Sequence, residues 1–504
     1  MPQGKIKKGF FFYFGLFVLL LIAIFLIILV ILMFNPGKTI LWFKYFTSSP
    51  EPYVITQTTE EDESLRKDID LSSGSSIETI EIEATYADVL IQKNTGYAED
   101  CIIIENNSKG FATSEQPTEF SYEVLLEGTT LSISVVEPEG FIYLSKNITI
   151  TINIAYLVDY DESDGNFSNF AFNISTTDGT IDVGGKTYVG QTIAPKALTA
   201  TTTSGDVILR TSANILRMQG LSFTTQSGEM LTSGNNVTYN GAPASGIVLN
   251  EGTINLRTTN GTIDFDVVKI NNGGTLNISN DRGNIVIDNL EVDRINVNCY
   301  EGNYLIENVI CDEFTFTPSE DRIASPNIQI QEMTGDFVIS SSNNANPDII
   351  INKLNGSANI QDISGSTSIN ELDGYVYAIV RNGSLNVTFA DQTTSTNNNY
   401  LRANGGASIS VKFLGAYINN LKVITDNGKI NFNLTGEASF TANHFVNDGV
   451  NYGDTGTTPE SLAPNRISTN IGEVTGSQLI VRGNSSESAT INVYTNSNVA
   501  YTVS

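Results

Sequence analysis

The chain is poor in the residues that most often carry chemistry. It has one histidine, His444, in 504 residues. A Ser/His/Asp triad would have to use that residue, and a multi-histidine metal site is excluded. Cysteine is also scarce. Cys101, Cys299 and Cys311 form an odd set, so no disulfide framework is expected. They read as free, buried thiols, with Cys311 at a core position. Basic residues number 27 against 55 acidic, a net charge of 27 − 55 = −28. That balance excludes unassisted binding to nucleic acid, which needs clustered Lys and Arg to displace counterions. Charged residues make up only 16% and proline only 13 positions, while 42 glycines accompany abundant Asn, Thr and Ser. Hydrophobic residues, at 40%, are too many for a disordered acidic tail. The composition describes β structure with many tight turns, and it does not describe an enzyme.

One apolar run stands apart. From Phe10 to Phe34 there is no charge. About 25 residues at 1.5 Å each give roughly 37 Å, enough to cross a ~30 Å hydrocarbon core with some tilt. A cleaved signal would have a core of about 7–15 residues and a small-residue site, which Met33-Phe34-Asn35-Pro36 does not offer. Lys5, Lys7 and Lys8 precede the run, so the positive-inside rule puts the N-terminus in the cytoplasm. Trp42, Phe43, Tyr45 and Phe46, with Lys38 and Lys44, suit an interfacial belt on the outer side. The expectation is a single-pass cell-membrane protein with an extracellular C-terminal ectodomain. Without the three cytoplasmic lysines, that ectodomain carries 24 basic residues against 55 acidic, or −31.

The segments follow in order: a cytoplasmic tail (1–8), a transmembrane helix (9–34), a juxtamembrane linker (35–76) and an N-terminal β region (77–175). Solenoid repeats (176–436) and a C-terminal cap or tail (437–504) complete the chain. The linker lacks periodicity and contains Glu60-Glu61-Asp62-Glu63, so it is expected to be solvated. Period-two alternation begins at Ile80, Ile82 and Ala84 and returns at Leu131, Ile133 and Val135 and along Ile148–Ile154.

The repeats carry most of the information. A phrase of polar residues, glycine and alternating apolar residues recurs at Gly179, Gly205, Gly261 and Gly428. Glycines 205, 228, 252, 274 and then 383, 406, 428 lie 22–24 residues apart, and Gly356, Gly365, Gly374 and Gly383 lie 9 apart. Three successive units align. Ile263, Phe265, Val268, Ile270, Leu276 and Ile278 follow Gly261. Ile285, Ile287, Leu290, Val292, Ile295 and Val297 follow Gly283. Tyr304, Ile306, Val309, Cys311, Phe314 and Phe316 follow Gly302. One unit cannot bury its apolar row alone, but stacked copies build a continuous core. The fold class is therefore all-β: a parallel β-solenoid, β-helix-like, of roughly 20–24-residue coils, preceded by one transmembrane α-helix. From Thr176 to Gly436 there is room for roughly 11 or 12 coils, a rod of about 55 Å, with Asn and Thr in equivalent turn positions stacked in ladders.

Ile80-Glu81-Ile82-Glu83-Ala84, Ala87-Asp88-Val89-Leu90-Ile91, the Ile148–Ile154 strand and the repeated Ser/Asn-Gly-x-Ile-x-Val phrase resemble the "putative adhesin" domains of bacterial envelope proteins. The resemblance covers roughly Ile77 to Gly436. It implies a β-solenoid and a display role behind one membrane span, with no catalytic residues to carry over. The chain departs from that pattern in the length of its solenoid and in the tail from Glu437 to Ser504.

Candidate chemistry is thin. Asp159, Asp161 and Asp164 before Gly165 miss the calcium-loop spacing by one residue and lack the bidentate Glu. Asn147, Asn173, Asn260, Asn382 and Asn433 begin glycosylation sequons at about the frequency that composition alone gives. Asp264, Asp266, Asp288 and Asp293 lie on adjacent units, where a polysaccharide-active solenoid would need paired carboxylates. Surface acidity accounts for them equally. His444 has no partner identifiable from sequence. No catalytic, cofactor-binding or metal-binding residue is assigned. The resulting expectation is a surface-displayed, adhesin-like or structural module that binds glycans or other cell-surface polymers without catalysis. The net charge points to neutral, cationic or metal-bridged partners. Alternatives are a polysaccharide-active β-helix enzyme and an envelope scaffold or sensor with a protein partner.

Overall fold

The computed structural model describes residues 17–20, 22–23, 53–54, 66–68, 77–92, 101–106, 109–112, 121–136, 141–145, 148–153, 171–184, 196–210, 220–233, 237–240, 242–318, 324–340, 345–391, 398–417, 419–435, 438–447, 460–482 and 489–503. The period-two alternation of the sequence becomes strands with one face inside. Strand Gly252–Thr258 buries Ile254, Leu256 and Thr258 and turns Asn255 and Arg257 outward. It lies parallel and in register between Gly220–Thr225 and Gly274–Asn280. The same pairing repeats along the molecule. Eleven parallel pairings join twelve strand segments between Ala171 and Thr425, which form sheet 1. Sheet 2 runs alongside from Ala87–Gln92 through Ile181–Val183 and Val207–Arg210 to Ile430–Leu434. Between residues 246 and 374 each coil adds a third short run, which makes sheet 3. This is a parallel β-solenoid.

The interior is one continuous apolar column. Of the eighteen inward positions aligned from sequence, seventeen are buried, and Cys311 is half-buried against the same core. Burial pushes the Cys311 thiol up to about 12, with Asp312 and Asp336 adding to the rise. Burial likewise raises the Cys299 thiol, so neither sulfur is poised as a nucleophile.

Five turns between sheets 1 and 2 are built around a buried hydroxyl. Thr176, Thr202, Thr225, Thr258 and Thr425 accept the N–H of the glycine three residues on, at 2.8–3.1 Å. The amide oxygen of Asn280 does the same for Gly283 at 2.7 Å. Thr202 and Thr225 also donate back to the carbonyls of Gly179 and Gly205 in the preceding coil, at 3.2 and 3.3 Å. Both polar atoms of a buried turn are thus satisfied along the axis, as burial demands. The glycine is required by proximity. A Cβ on Gly261 would stand 1.9 Å from the Gly228 carbonyl oxygen.

The ends depart from chain order. At one end Thr130–Val136 and Ile148–Asn153 stack below the earlier pair Thr79–Ala84 and Ala87–Gln92. Antiparallel strands Ser121–Glu127 and Cys101–Asn106 then close that end. At the other end the tail does not lose the repeat. Ala489–Thr495 lies between Asn420–Thr425 and Phe440–Phe445, parallel to both. Val499–Val503 lies likewise between Ile430–Leu434 and Ile467–Thr469. The last strands in sequence therefore form an inner layer, and antiparallel Gln478–Val481 covers the outer one. Antiparallel closure of this kind occupies edges that would otherwise template association.

Two sequence expectations change. The segment expected to be a solvated linker supplies strands Tyr53–Val54 and Arg66–Asp68, which pair with Lys109–Ala112 and Cys101–Asn106. The 9-residue glycine beat is half a coil: Gly356 stacks on Gly374, 18 residues away. Of the apolar run Phe10–Phe34, the described residues are 17–20 and 22–23, which are helical and exposed. Among the described residues no helix is long and apolar enough to cross a membrane. The rest of the run lies outside them.

Candidate functional site: the outer faces of the solenoid

With the inward rows filled, chemistry is left to the outward rows, where equivalent side chains meet their counterparts one layer on. Asn255, Asn277 and Asn296 form an amide ladder, each Nδ2 donating to the previous Oδ1 at 2.9 Å. Asn308 to Asn289 (3.1 Å), Asn370 to Asn352 (2.6 Å) and Asn420 to Asn398 (3.0 Å) repeat the bond elsewhere. The sequence places ladders in the turns, where Asn271 donates to Asn250 at 3.2 Å; the Asn255–Asn277–Asn296 ladder stands in mid-strand instead. Asn277, in the middle of its ladder, spends one donor and one acceptor along the axis. A primary amide carries two N–H donors and two acceptor lone pairs, chemistry complementary to hydroxyls.

Further along sheet 1 the same row turns aromatic. Tyr377 stacks on Tyr400, with centroids 4.8 Å apart, and Lys422 comes next. The Lys422 ammonium sits 5.8 Å from the Tyr400 ring and 5.3 Å from the Tyr494 ring. Tyr494 then stacks on Phe445 at 5.1 Å. Five layers, including the reinserted C-terminal one, are tied by one ring–cation stack. The ring faces are occupied by each other, so the outward edge is what a partner would meet. Burial raises the Tyr400 phenol, opposed by its hydrogen bond from Arg402.

The acidic candidates separate. Asp266, Asp288 and Glu307 hold equivalent positions in consecutive layers, between the paired rows of Phe265, Ile287, Ile306 and Val267, Asn289, Asn308. Burial raises the Asp288 carboxyl, and the charges of Glu307, Asp266 and Asp264 raise it further. Asp266 is tied down, its Oδ2 accepting from Ser245 Oγ at 2.6 Å and Ser245 N at 3.2 Å. Asp293 belongs elsewhere, beside Gly273. Three of the four expected aspartates thus meet, and Glu307, not singled out from sequence, joins them. Among the described residues, no group of three or more His, Cys, Asp or Glu side chains is placed to hold a metal ion. The Asp159–Gly165 loop and Asn147 lie outside the described residues. Asn173, Asn260 and Asn382 are exposed and Asn433 is half-buried.

A prediction follows for Asp288. Its raised folded-state carboxyl means the folded chain favours the protonated form. That contribution is present below the unfolded value and is lost as pH rises through the folded one. Asp288→Asn should therefore be neutral to stabilising at pH 7, by less than about 0.5 kcal/mol. Urea melts should show the gain shrinking at pH 5 and in high salt. A destabilised variant at pH 7 would mean that the repulsion is misplaced.

His444, without a partner in the sequence analysis, has two. Its Nδ1 lies 2.8 Å from the Ser477 carbonyl and therefore donates. Nε2 lies 2.7 Å from the Tyr501 hydroxyl and accepts. Burial holds its pKa below the ordinary histidine range. A neutral imidazole that pins the reinserted terminal layer is a structural role, and the signal was non-local: Tyr501 lies 57 residues on.

Residues 77–274 match the model of the Toastrack DUF4097 family. The Toastrack stretch runs from the first stacked pair to the strand beginning at Gly274, and the layers beyond it continue the same parallel pairing. It falls inside the region Ile77–Gly436 on which the adhesin-family resemblance rested. The crystal structure of a putative adhesin from Parabacteroides merdae ATCC 43184 is similar at 9% identity, covering 76% of this chain and 97% of that one, with a TM-score of 0.20. No curated protein matches the chain.

Proposed function

We propose that this chain is a membrane-anchored, surface-displayed adhesin-like solenoid that binds glycans or other cell-surface polymers along its outer faces, without catalysis. The observation that carries the reading is the outward repetition. Amide ladders recur at the layer spacing of about 4.8 Å, so a polymer meets like groups again and again. Contacts that are weak singly add through effective concentration. The anchor is assigned to Phe10–Phe34, with Lys5, Lys7 and Lys8 in the cytoplasm. A polysaccharide-active alternative has one observation in its favour: the raised Asp288 carboxyl beside Asp266 and Glu307.

One experiment separates the two. The full chain in detergent micelles is screened on a glycan array, with reducing-end release assayed in parallel. Binding with no released ends is expected. Released ends that disappear in Asp288→Asn would make the protein an enzyme, and no binding to any glycan would contradict the proposal.

A further inference from the structure

The coil formed by the last two strands sits where chain order does not put it. Ala489–Thr495 and Val499–Val503 fill a slot between two walls. One wall is Asn420–Thr425 with Ile430–Leu434, and the other is Phe440–Phe445 with Ile467–Thr469. Both walls precede the filling coil in sequence. They are also in phase with each other. Leu421 and Ala442 both pair with Ile491, and Val423 and His444 both pair with Val493. The same holds in sheet 2, where Phe432 and Thr469 both pair with Tyr501. The walls therefore present matching inward rows with or without a coil between them, and a coil can enter without changing the register of either wall.

What holds the coil is particular to its own side chains. Tyr501 is fully buried, stacks on Phe432 with centroids 4.7 Å apart, and donates to His444 Nε2 at 2.7 Å. Asn443 Nδ2 donates to Asn492 Oδ1 at 3.2 Å. Arg466 donates to the Asn496 carbonyl at 2.9 Å, and Ser497 to the Asn427 carbonyl at 2.7 Å. Each of these groups is supplied equally well by a second copy of the chain. Only residues 483–488 join the outer wall to the coil. Seven steps of chain reach at most about 24 Å, far enough for a slot in a chain that abuts this end.

We propose that the coil is exchanged between copies: residues 489–503 of one chain fill the slot of a second, whose own coil fills the slot of the first. The partner is a second copy of this chain, because the slot's contacts are those of the chain's own coil. The exchanged form keeps every contact of the closed form, so the two differ only in the join and in the freedom lost on pairing. Local concentration then decides between them, and tethering raises it to about the millimolar range. The slot lies at the end of the solenoid opposite the layers that Thr79–Ala84 and Ala87–Gln92 begin. With the anchor assigned above, that end points away from the membrane. Exchange there joins rods that meet tip to tip, a homophilic attachment that needs no glycan.

The test uses the full chain in detergent micelles, as two populations carrying Asn443→Cys and Asn492→Cys. A short bismaleimide joins these positions where a coil sits in a slot. The Asn443→Cys/Asn492→Cys double variant is the closed-form control and should link within one chain. The native cysteines are buried or half-buried, and wild type is the blank. The two populations are mixed at roughly 1 mM chain. Salt of about 0.15 M screens repulsion between the acidic rods beyond about 8 Å. Warming to just below the melting transition opens the terminal layers. Linked pairs should then exceed those in either population alone by roughly tenfold or more, and should increase with chain concentration. No linked pair in the mixture, while the control closes on itself, overturns the inference. So do linked pairs as frequent within one population, since the ends would then touch without exchanging coils. The glycan array is read separately, so failure here leaves the polymer-binding proposal standing, and failure there leaves exchange standing.

Discussion

Ile287→Asp is expected to cost roughly 4 kcal/mol or more at neutral pH, beyond the ~0.5–3 kcal/mol range of ordinary substitutions. Ile287 is fully buried and stacks between Phe265 and Ile306 in the layers on either side. Both row neighbours are apolar, so nothing in the adjacent layers of that row would compensate a carboxylate. The unpaired charge would instead shift its own pKa upward, so the loss should shrink as pH falls. Each coil touches only its neighbours, so native-state hydrogen exchange should show the adjacent layers loosening before distant ones. Urea melts of the purified chain measure the size. Asp288→Asn, on the opposite side of the same strand, serves as the control. Comparable losses at both positions would mean that inside and outside are exchanged.

Gly261→Ala should be nearly as damaging, although it adds one methyl group. The new Cβ would meet the Gly228 carbonyl oxygen at 1.9 Å, with the Thr258 hydroxyl at 2.8 Å. The first obstacle is backbone, which cannot rotate aside. The two coils must separate, stretching the strand ladders between them, Gly220–Thr225 with Gly252–Thr258 and Met230–Ser233 with Ile263–Ile270. A loss at the upper end of the ~1–3 kcal/mol typical of overpacking, or beyond it, is expected. Gly220→Ala is the matched control. It sits in a sheet 1 strand with nothing within 4 Å of an added Cβ, and should change stability by less than about 0.5 kcal/mol. Equal effects in thermal melts would contradict the close stacking of the glycine turns.

These two sites show how far the sequence could be read. Ile287 and its row were legible because a solenoid's core is written as a period: Phe265, Ile287 and Ile306 recur at the same offset from a glycine. Amide ladders were legible for the same reason, though not their place in mid-strand. The role of the buried threonines was not. The alternation Ile254, Leu256, Thr258 puts Thr258 on the inward face, but its role as acceptor for the Gly261 N–H has no signature in hydrophobic period. The terminal layers were hidden too. Strand pairing between Asn420–Thr425 and Ala489–Thr495 skips the strand that comes next in sequence, and period alone carries no order. For the same reason the 9-residue beat did not reveal that Gly356 and Gly365 lie at different turns of one 18-residue coil. The Tyr377–Tyr400–Lys422–Tyr494–Phe445 stack joins residues from five layers and has no local signature.

The half-coil finding sets the form of the most direct test of repetitive outer-face binding. Deleting Gly356–Asp373 removes one 18-residue coil and brings Gly374 into the place of Gly356, with every row kept in register. Deleting Gly356–Asn382, one and a half coils, would put the sheet 2 strand Ser384–Phe389 into a sheet 1 position. Affinity of the full chain for a bound polymer should therefore be measured before and after the 18-residue deletion, with folding checked by urea melts. If attachment is spread over repeated weak contacts, affinity should fall by a modest factor with the fold intact. Complete loss of binding in a folded deletion variant, or in a folded single outward substitution, would place the activity in one discrete site and contradict the repetitive model.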